Sequence, residues 1–288
     1  MQLALGTVQL GMPYGIANTA GMPDESAAAD ILRAACESGM RWLDTAAAYG
    51  QSESVIGKLL PQAWSGPAPC IATKFVLDEK ITPQTQLASA LEKLRRDQVE
   101  AVLLHQEKDI DHPRFADFAA LTATDGVQSV GISCYTPQIA LRGIQAGMRC
   151  LQIQSNLFDN THADAGVLRL ARERGVTVFV RSIFLQGLFF LPPDHERSQR
   201  IPGAEMALRA LHDFCHRHAI TPATLALAYG ATLDEAIILL GAENAAQARS
   251  SAALAHEAES HRELALRWLR ERPSIPDSVI QPAFWPKL

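Results

Sequence analysis

The chain has 288 residues, 48% hydrophobic and 20% charged, and 26 Lys and Arg against 31 Asp and Glu leave a formal net charge of −5. That length suits one α/β barrel of roughly 250 residues or two smaller domains, and the apolar fraction excludes a disordered chain. The acidic balance, without any cluster of cations interleaved with aromatics, excludes the electrostatic footprint of a nucleic-acid or anionic-membrane binder.

Strand-like runs fall at residues 3–5, 42–44, 71–74, 101–105, 129–133, 151–153, 176–180 and 237–240. Between them, residues 27–38, 84–96, 137–146 and 163–174 repeat apolar positions at helical spacing. Gly39, Gly147 and Gly175 stand where a helix closes in a left-handed residue before a parallel strand. Eight such βα repeats predict a single (β/α)8 TIM barrel over residues 1–288, with a long loop at 183–202 after strand 7 and a C-terminal helix and tail. A doubly wound sheet fits less well. Its first strand would lead into GxGxxG, and here the sequence is Gly6-Thr7-Val8-Gln9-Leu10-Gly11.

Five cysteines, Cys36, Cys70, Cys134, Cys150 and Cys215, lack a CxxC spacing and read as reduced thiols of a cytoplasmic protein. Neither a signal-like start nor an apolar run of membrane length is present, so no anchoring is expected.

In such a barrel the chemistry sits at the C-terminal ends of the strands. Asp44, Tyr49, Lys74 and His105 lie at the exits of the second, third and fourth strands, side by side around the mouth. Taken singly, such a Lys or Asp is more often a structural ion pair and such a His a core residue. As a set they fit proton transfer. A phenol of ordinary pKa about 10 becomes a better acid beside an ammonium, Asp44 keeps a buried Lys74 charged, and His105 orients a carbonyl oxygen.

The segments Trp42-Leu43-Asp44-Thr45-Ala46-Ala47-Ala48-Tyr49-Gly50, Ala72-Thr73-Lys74 and Leu103-Leu104-His105 resemble the aldo-keto reductases, as do Leu5-Gly6-Thr7, Val130-Gly131-Ile132-Ser133, Gln152 with Asn156-Leu157-Phe158-Asp159, and residues 221–228. The resemblance spans nearly the whole chain. It implies a metal-free, NADPH-dependent reduction of a small aldehyde or ketone, sugars included, or the reverse alcohol oxidation, with Tyr49 as proton donor or acceptor. It also implies that Gly6, Thr7, Ser133 and Gln152 serve the nicotinamide end, the last two its carboxamide. Arg181, in place of the family's stacking aromatic, with Ser182, Leu185 and Gly187, would serve the ring and pyrophosphate. Cys134 stands where many relatives have Asn.

Gly241, Ala242 and Gln247 fall where the family holds the adenosine 2′-phosphate, yet Glu243 is acidic, Gln247 stands where Arg is common, and Arg249 is the nearest cation. The family habit is NADPH, whereas a missing cation weakens phosphate recognition and an acidic neighbour suits the free ribose hydroxyls of NADH, so the preference is open between the two. The first strand begins almost at residue 1, so the hairpin that plugs the barrel bottom in many relatives is expected to be shortened or missing, with some other element covering that end.

Two metal-like clusters compete with this reading. Residues 105–113 hold carboxylates and imidazoles, but Asp111 or His112 before Pro113 reads as a loop and helix cap. His212, Cys215, His216 and His218 fit a partly exposed face of an outer helix. A nicotinamide-binding regulatory protein with little turnover is the alternative function. Met12, Tyr14 and Ala48 are candidate substrate walls, and Phe284 and Trp285 candidates for packing, a subunit contact or the mouth. The chain is read as a monomer or homodimer.

Overall fold

The computed structural model describes residues 1–286. Eight parallel strands, β1 Gln2–Gly6, β2 Trp42–Asp44, β3 Cys70–Phe75, β4 Val99–Leu104, β5 Val127–Cys134, β6 Cys150–Gln154, β7 Thr177–Arg181 and β8 Ile237–Gly241, pair in chain order, and β8 closes back on β1. This is the (β/α)8 barrel that the sequence rhythm predicts. All eight runs lie on or within a residue of an observed strand; His105 falls just past β4.

Local chemistry explains where the outer helices start and stop. Asp24 accepts a hydrogen bond from the Ala27 amide and opens Glu25–Glu37, which turns Ala28, Ile31, Leu32 and Ala35 inward. Thr82-Pro83 and Thr221-Pro222 open two more helices in one manner: the threonine hydroxyl accepts the amide three residues on, and proline fills the first turn, where its missing N–H is not needed. Gly39, Gly147 and Gly175 adopt φ of 74°, 86° and 61°, the left-handed exits expected of them.

Inside the barrel, side chains of alternate residues stack in layers. Ala4, Ala72, Ala101, Leu103, Cys150, Phe179, Ile237 and Leu239 form one interior cluster. Trp42 packs on it with its ring edge-on to Phe179 at 5.0 Å. This indole fills the interior at the N-terminal end of the strands, where some covering element was expected. Moving two residues along β2, β3, β6 and β7 replaces Trp42, Ala72, Cys150 and Phe179 with Asp44, Lys74, Gln152 and Arg181. The strand period of two thereby puts a polar layer directly above an apolar one.

Gly131 on β5 faces Cys150 on β6, and a Cβ at residue 131 would lie 1.9 Å from the Cys150 carbonyl oxygen. Gly131→Ala should therefore lower stability by about 1–3 kcal/mol, read as a fall in the urea midpoint. An unchanged midpoint would contradict that close approach.

The long loop after β7 folds as a 3-10 turn, Leu185–Phe190, and a short helix, Glu196–Gln199. It is laced to the loop after β1: the Ile16 amide donates to the Gln186 carbonyl at 3.0 Å and Arg197 Nη1 donates to the Ile16 carbonyl at 2.6 Å. The tail carries a helical turn, Asp277–Ile280, anchored by the fully buried Val279 and by Gln154 Nε2, which donates to the Ile280 carbonyl. Trp285 packs against the core and donates to the Val279 carbonyl, while Phe284 is 64% exposed. Neither aromatic lines the cavity at the mouth.

Candidate active site

At the C-terminal mouth a cavity of 510 Å³ runs from Asp44 and Tyr49, past Gly6, Thr7, Gln152 and Arg181, to Glu243, Gln247 and Leu254. Its floor is a saturated ion pair. Lys74 Nζ donates to Asp44 Oδ1 at 2.7 Å, to Asp44 Oδ2 at 2.8 Å and to the Thr45 carbonyl at 2.8 Å, and lies 3.4 Å from Tyr49 Oη. Gln152 Nε2 adds a second donor to Asp44 Oδ1 at 2.7 Å. Lys74 is 1% exposed. Burial alone would strip its proton, but the Asp44 carboxylate reverses that penalty and holds the ammonium above its ordinary pKa.

Tyr49 faces the opposite balance. The expectation that Lys74 draws the phenol below its usual value is corrected: burial is the larger effect and raises the pKa, with the Lys74 charge the strongest opposing influence. The hydroxyl thus keeps its proton in the free protein, beside a cation able to stabilise the phenolate once that proton leaves.

His105 packs edge-on against the Tyr49 ring, centroids 5.6 Å apart, and its buried Nδ1 has no protein partner. Burial, then the charges of Lys74 and Arg181, push the imidazole down to about 4. His105 is therefore neutral at pH 7. Because an unfolded histidine takes a proton near pH 6.5, this burial adds stability above pH 6.5 that is lost as pH falls toward 4. An NMR titration should put the His105 midpoint near 4, and His105→Asn should flatten the loss of stability between pH 6.5 and 4; a midpoint of 6 or above would refute this neutral state.

The family-implied cofactor residues divide. Gly6, Thr7, Gln152, Arg181, Ser182, Gly187, Gly241 and Gln247 line the cavity. Ser133, Leu185 and Ala242 are buried behind its wall. Gln152 gives its amide nitrogen to Asp44 rather than leaving it free for a carboxamide. After β7 the backbone is strained: Ser182, Leu185 and Gln186 adopt φ of 63°, 46° and 54°, followed by Gly187 at 91°. Left-handed non-glycine residues cost of order 1–3 kcal/mol each and gather at ligand-holding sites. Tyr14 lines the cavity, whereas Met12 and Ala48 do not.

Three contributors escaped the sequence reading. Gln9 lines the cavity with its Oε1 unpartnered and its amide against Gly241. Gln154 Oε1 accepts from Arg181 Nη1 at 3.1 Å, and the Tyr135 ring lies 4.3 Å from the Arg181 guanidinium carbon. Gln154 was discoverable, since it sits two residues beyond Gln152 on the same interior face of β6. Tyr135, on the loop just past β5, carried no such signal.

The metal-like segments are otherwise engaged. Asp109 accepts from the Leu77 amide, Asp111 pairs with Arg142, and His112 Nδ1 accepts from the Arg114 amide. The helix there begins at Phe115, so Pro113 does not open it as expected. His212 lies 3.2 Å from the Phe189 carbonyl and His218 packs on Phe214. Among the described residues no group of three or more His, Cys, Asp and Glu converges as a metal set, and no helix is long and apolar enough to cross a membrane.

A closed parallel barrel whose mouth sets a protonated phenol over a charge-locked lysine defines a class of barrel protein suited to moving a proton to or from a substrate oxygen. The Aldo/keto reductase family model matches residues 2–266. The chain belongs to that family, whose members are NAD(P)H-dependent oxidoreductases. Among curated relatives it is 24% identical to aldo-keto reductase YhdN of Bacillus subtilis over 183 residues, which are 58% of this chain and 55% of that protein. It therefore spans about half the length of that relative. It is 28% identical to aldo-keto reductase str7 of Strobilurus tenacellus over 257 residues, covering 78% of this chain and 74% of that one. Its fold is like that of the holo form of aldo-keto reductase AKR11C1 from Bacillus halodurans, with TM-score 0.75, 21% identity and 96% and 94% of the two chains covered. The glycerol dehydrogenase AKR11B4 of Gluconobacter oxydans gives TM-score 0.71 at 20% identity, covering 99% and 95%.

Proposed function

We propose that this chain interconverts a small aldehyde or ketone and its alcohol, with Tyr49 giving or taking the proton. The observation that carries this reading is the Lys74 ammonium, bonded to both oxygens of Asp44 and 3.4 Å from Tyr49 Oη on the wall of the cavity. In the reducing direction Tyr49 Oη delivers its proton to the substrate oxygen. Lys74 then faces a phenolate, and Asp44 keeps the ammonium from surrendering its own proton. His105, neutral and packed edge-on against the Tyr49 ring, would help to hold the substrate oxygen toward Tyr49.

The elongated cavity fits a dinucleotide, with the bare backbone of Gly6 and Gly241 at its wall and the strained 182–187 turn alongside. Such a cofactor, when bound, supplies or takes the hydride. Gly6, Thr7 and Gln152 would hold its nicotinamide end, Ser182 and Gly187 its phosphates, and Gly241, Glu243 and Gln247 its adenosine.

At that last end the geometry favours NADH over the family's usual NADPH. Arg249, the nearest cation, is tied to Glu37 at 3.0 Å. Asn244 Oδ1 accepts from the Gln247 amide and Gln247 Oε1 from the Glu243 amide, so these donors at the helix start are already satisfied. A 2′-phosphate needs charge-assisted donors, and a carboxylate such as Glu243 prefers ribose hydroxyls.

Fluorescence titration should give a lower Kd for NADH than for NADPH by about tenfold, a gap that Glu243→Lys narrows. Equal affinities would refute the preference. Stopped-flow hydride transfer with an aldehyde panel on the preferred cofactor then tests the reaction. Tight cofactor binding without turnover would favour a regulatory role.

A further inference from the structure

Arg181 is the last residue of β7 and reaches the same cavity as Tyr49 and Asp44. Its Nη1 donates to Gln154 Oε1 at 3.1 Å and sits 3.4 Å from Ser182 Oγ, and its guanidinium lies over the Tyr135 ring. Gln154 is itself fixed, donating through Nε2 to the Ile280 carbonyl of the tail and to Asp159 Oδ2. The fork is therefore held in one orientation by neutral groups alone.

What it lacks is a counter-charge. Among the described residues Arg181 forms no ion pair, and its Nη2 is buried without a hydrogen-bond partner. The nearby carboxylates are committed elsewhere: Asp44 to Lys74 and Gln152, and Asp159 to Gln154 and to the amide and hydroxyl of Thr161. Arg181 is half-buried and lines the cavity, so an oxyanion bound there would supply the missing counter-charge. Among the described residues Arg181 is also the only Lys or Arg that lines the cavity. Its field reaches the chemistry, because its charge acts on Tyr49, Tyr14 and His105 alike.

We propose that Arg181 is the oxyanion anchor of this cavity and that the substrate is an aldehyde or ketone bearing a carboxylate, which the guanidinium receives while the carbonyl meets Tyr49. The assignment rests on the carbonyl-reduction reading above. A guanidinium held flat by Tyr135 and Gln154 presents the planar fork that matches a carboxylate, and the neutral partners that hold it leave its charge for the ligand. The same donor chemistry would also suit a phosphate of the cofactor, which the test separates.

The experiment compares 2-, 3- and 4-formylbenzoate with the matching formylbenzamides, neutral and of nearly equal shape, in the full-length protein with saturating NADH or NADPH. The wild type should favour at least one formylbenzoate over its amide in kcat/KM by about tenfold or more, the size of one charge-assisted contact. Arg181→Gln should abolish that ratio whatever it does to absolute rates, and Arg181→Lys should restore part of it. Calorimetric binding of each pair to the wild type reads the same preference without turnover, so a chain that binds formylbenzoate selectively and reduces nothing would sink the reductase reading but not the anchor. No carboxylate preference in rate or binding overturns the anchor. So does an Arg181→Gln variant that lowers both members of every pair equally while weakening NADH binding, since the anion would then belong to the cofactor.

Discussion

Tyr49→Phe should lower turnover by about 10²–10⁴-fold, the range by which a positioned proton donor accelerates transfer, while NADH affinity by fluorescence stays within about threefold. The change removes one hydroxyl and almost no volume, and the ring can keep its edge-on contact with His105. The loss should appear in kcat and not mainly in KM, because the proton moves only as charge develops on the substrate oxygen. Since burial holds Tyr49 above its ordinary pKa, kcat for reduction should not fall through loss of this proton between pH 6 and 8. Activity of the phenylalanine variant close to that of the wild type would remove Tyr49 from the reaction.

Lys74→Met should be damaging in a second way. Removing one partner of a buried ion pair leaves the other charge uncompensated, at a cost of about 3–5 kcal/mol. Here Asp44 would keep only the Gln152 donor among its side-chain partners, in a site where the lysine is 1% exposed. The urea midpoint should drop sharply, and turnover should fall with it because the phenolate left on Tyr49 loses its stabilising cation. The double change Lys74→Met with Asp44→Leu separates the two effects. Replacing both partners with apolar groups should return most of the stability and none of the turnover. A Lys74→Met protein as stable as the wild type would mean that the pair contributes little to the fold; a double variant that regains activity would mean that the ammonium has no part in the chemistry.

How much of this was legible beforehand follows from what each feature depends on. The strand runs and the glycine exits at 39, 147 and 175 are local, set by torsional preference within a few residues, and they read directly from sequence. The Asp44, Tyr49, Lys74 and His105 set was also legible, because successive barrel strands bring their ends together in chain order. Ser133, Leu185 and Ala242 came from resemblance alone, and such a carry-over fixes position along the chain without fixing which side chains reach the cavity. The tail aromatics illustrate the same limit: Phe284 faces outward and Trp285 packs on the core, away from the mouth.

By itself the sequence determined a (β/α)8 barrel with a phenol, an ammonium, a carboxylate and an imidazole at its mouth, because pattern and spacing along one chain suffice for both. Only the tertiary structure decided the electrical state of those groups and their neighbours: that burial outweighs Lys74 at Tyr49, that His105 is neutral, that Arg249 pairs with Glu37 and that Arg181 has no ion-pair partner among the described residues. Desolvation and pairing depend on atoms brought together from distant parts of the chain, and no local pattern records which charges end up sharing a partner.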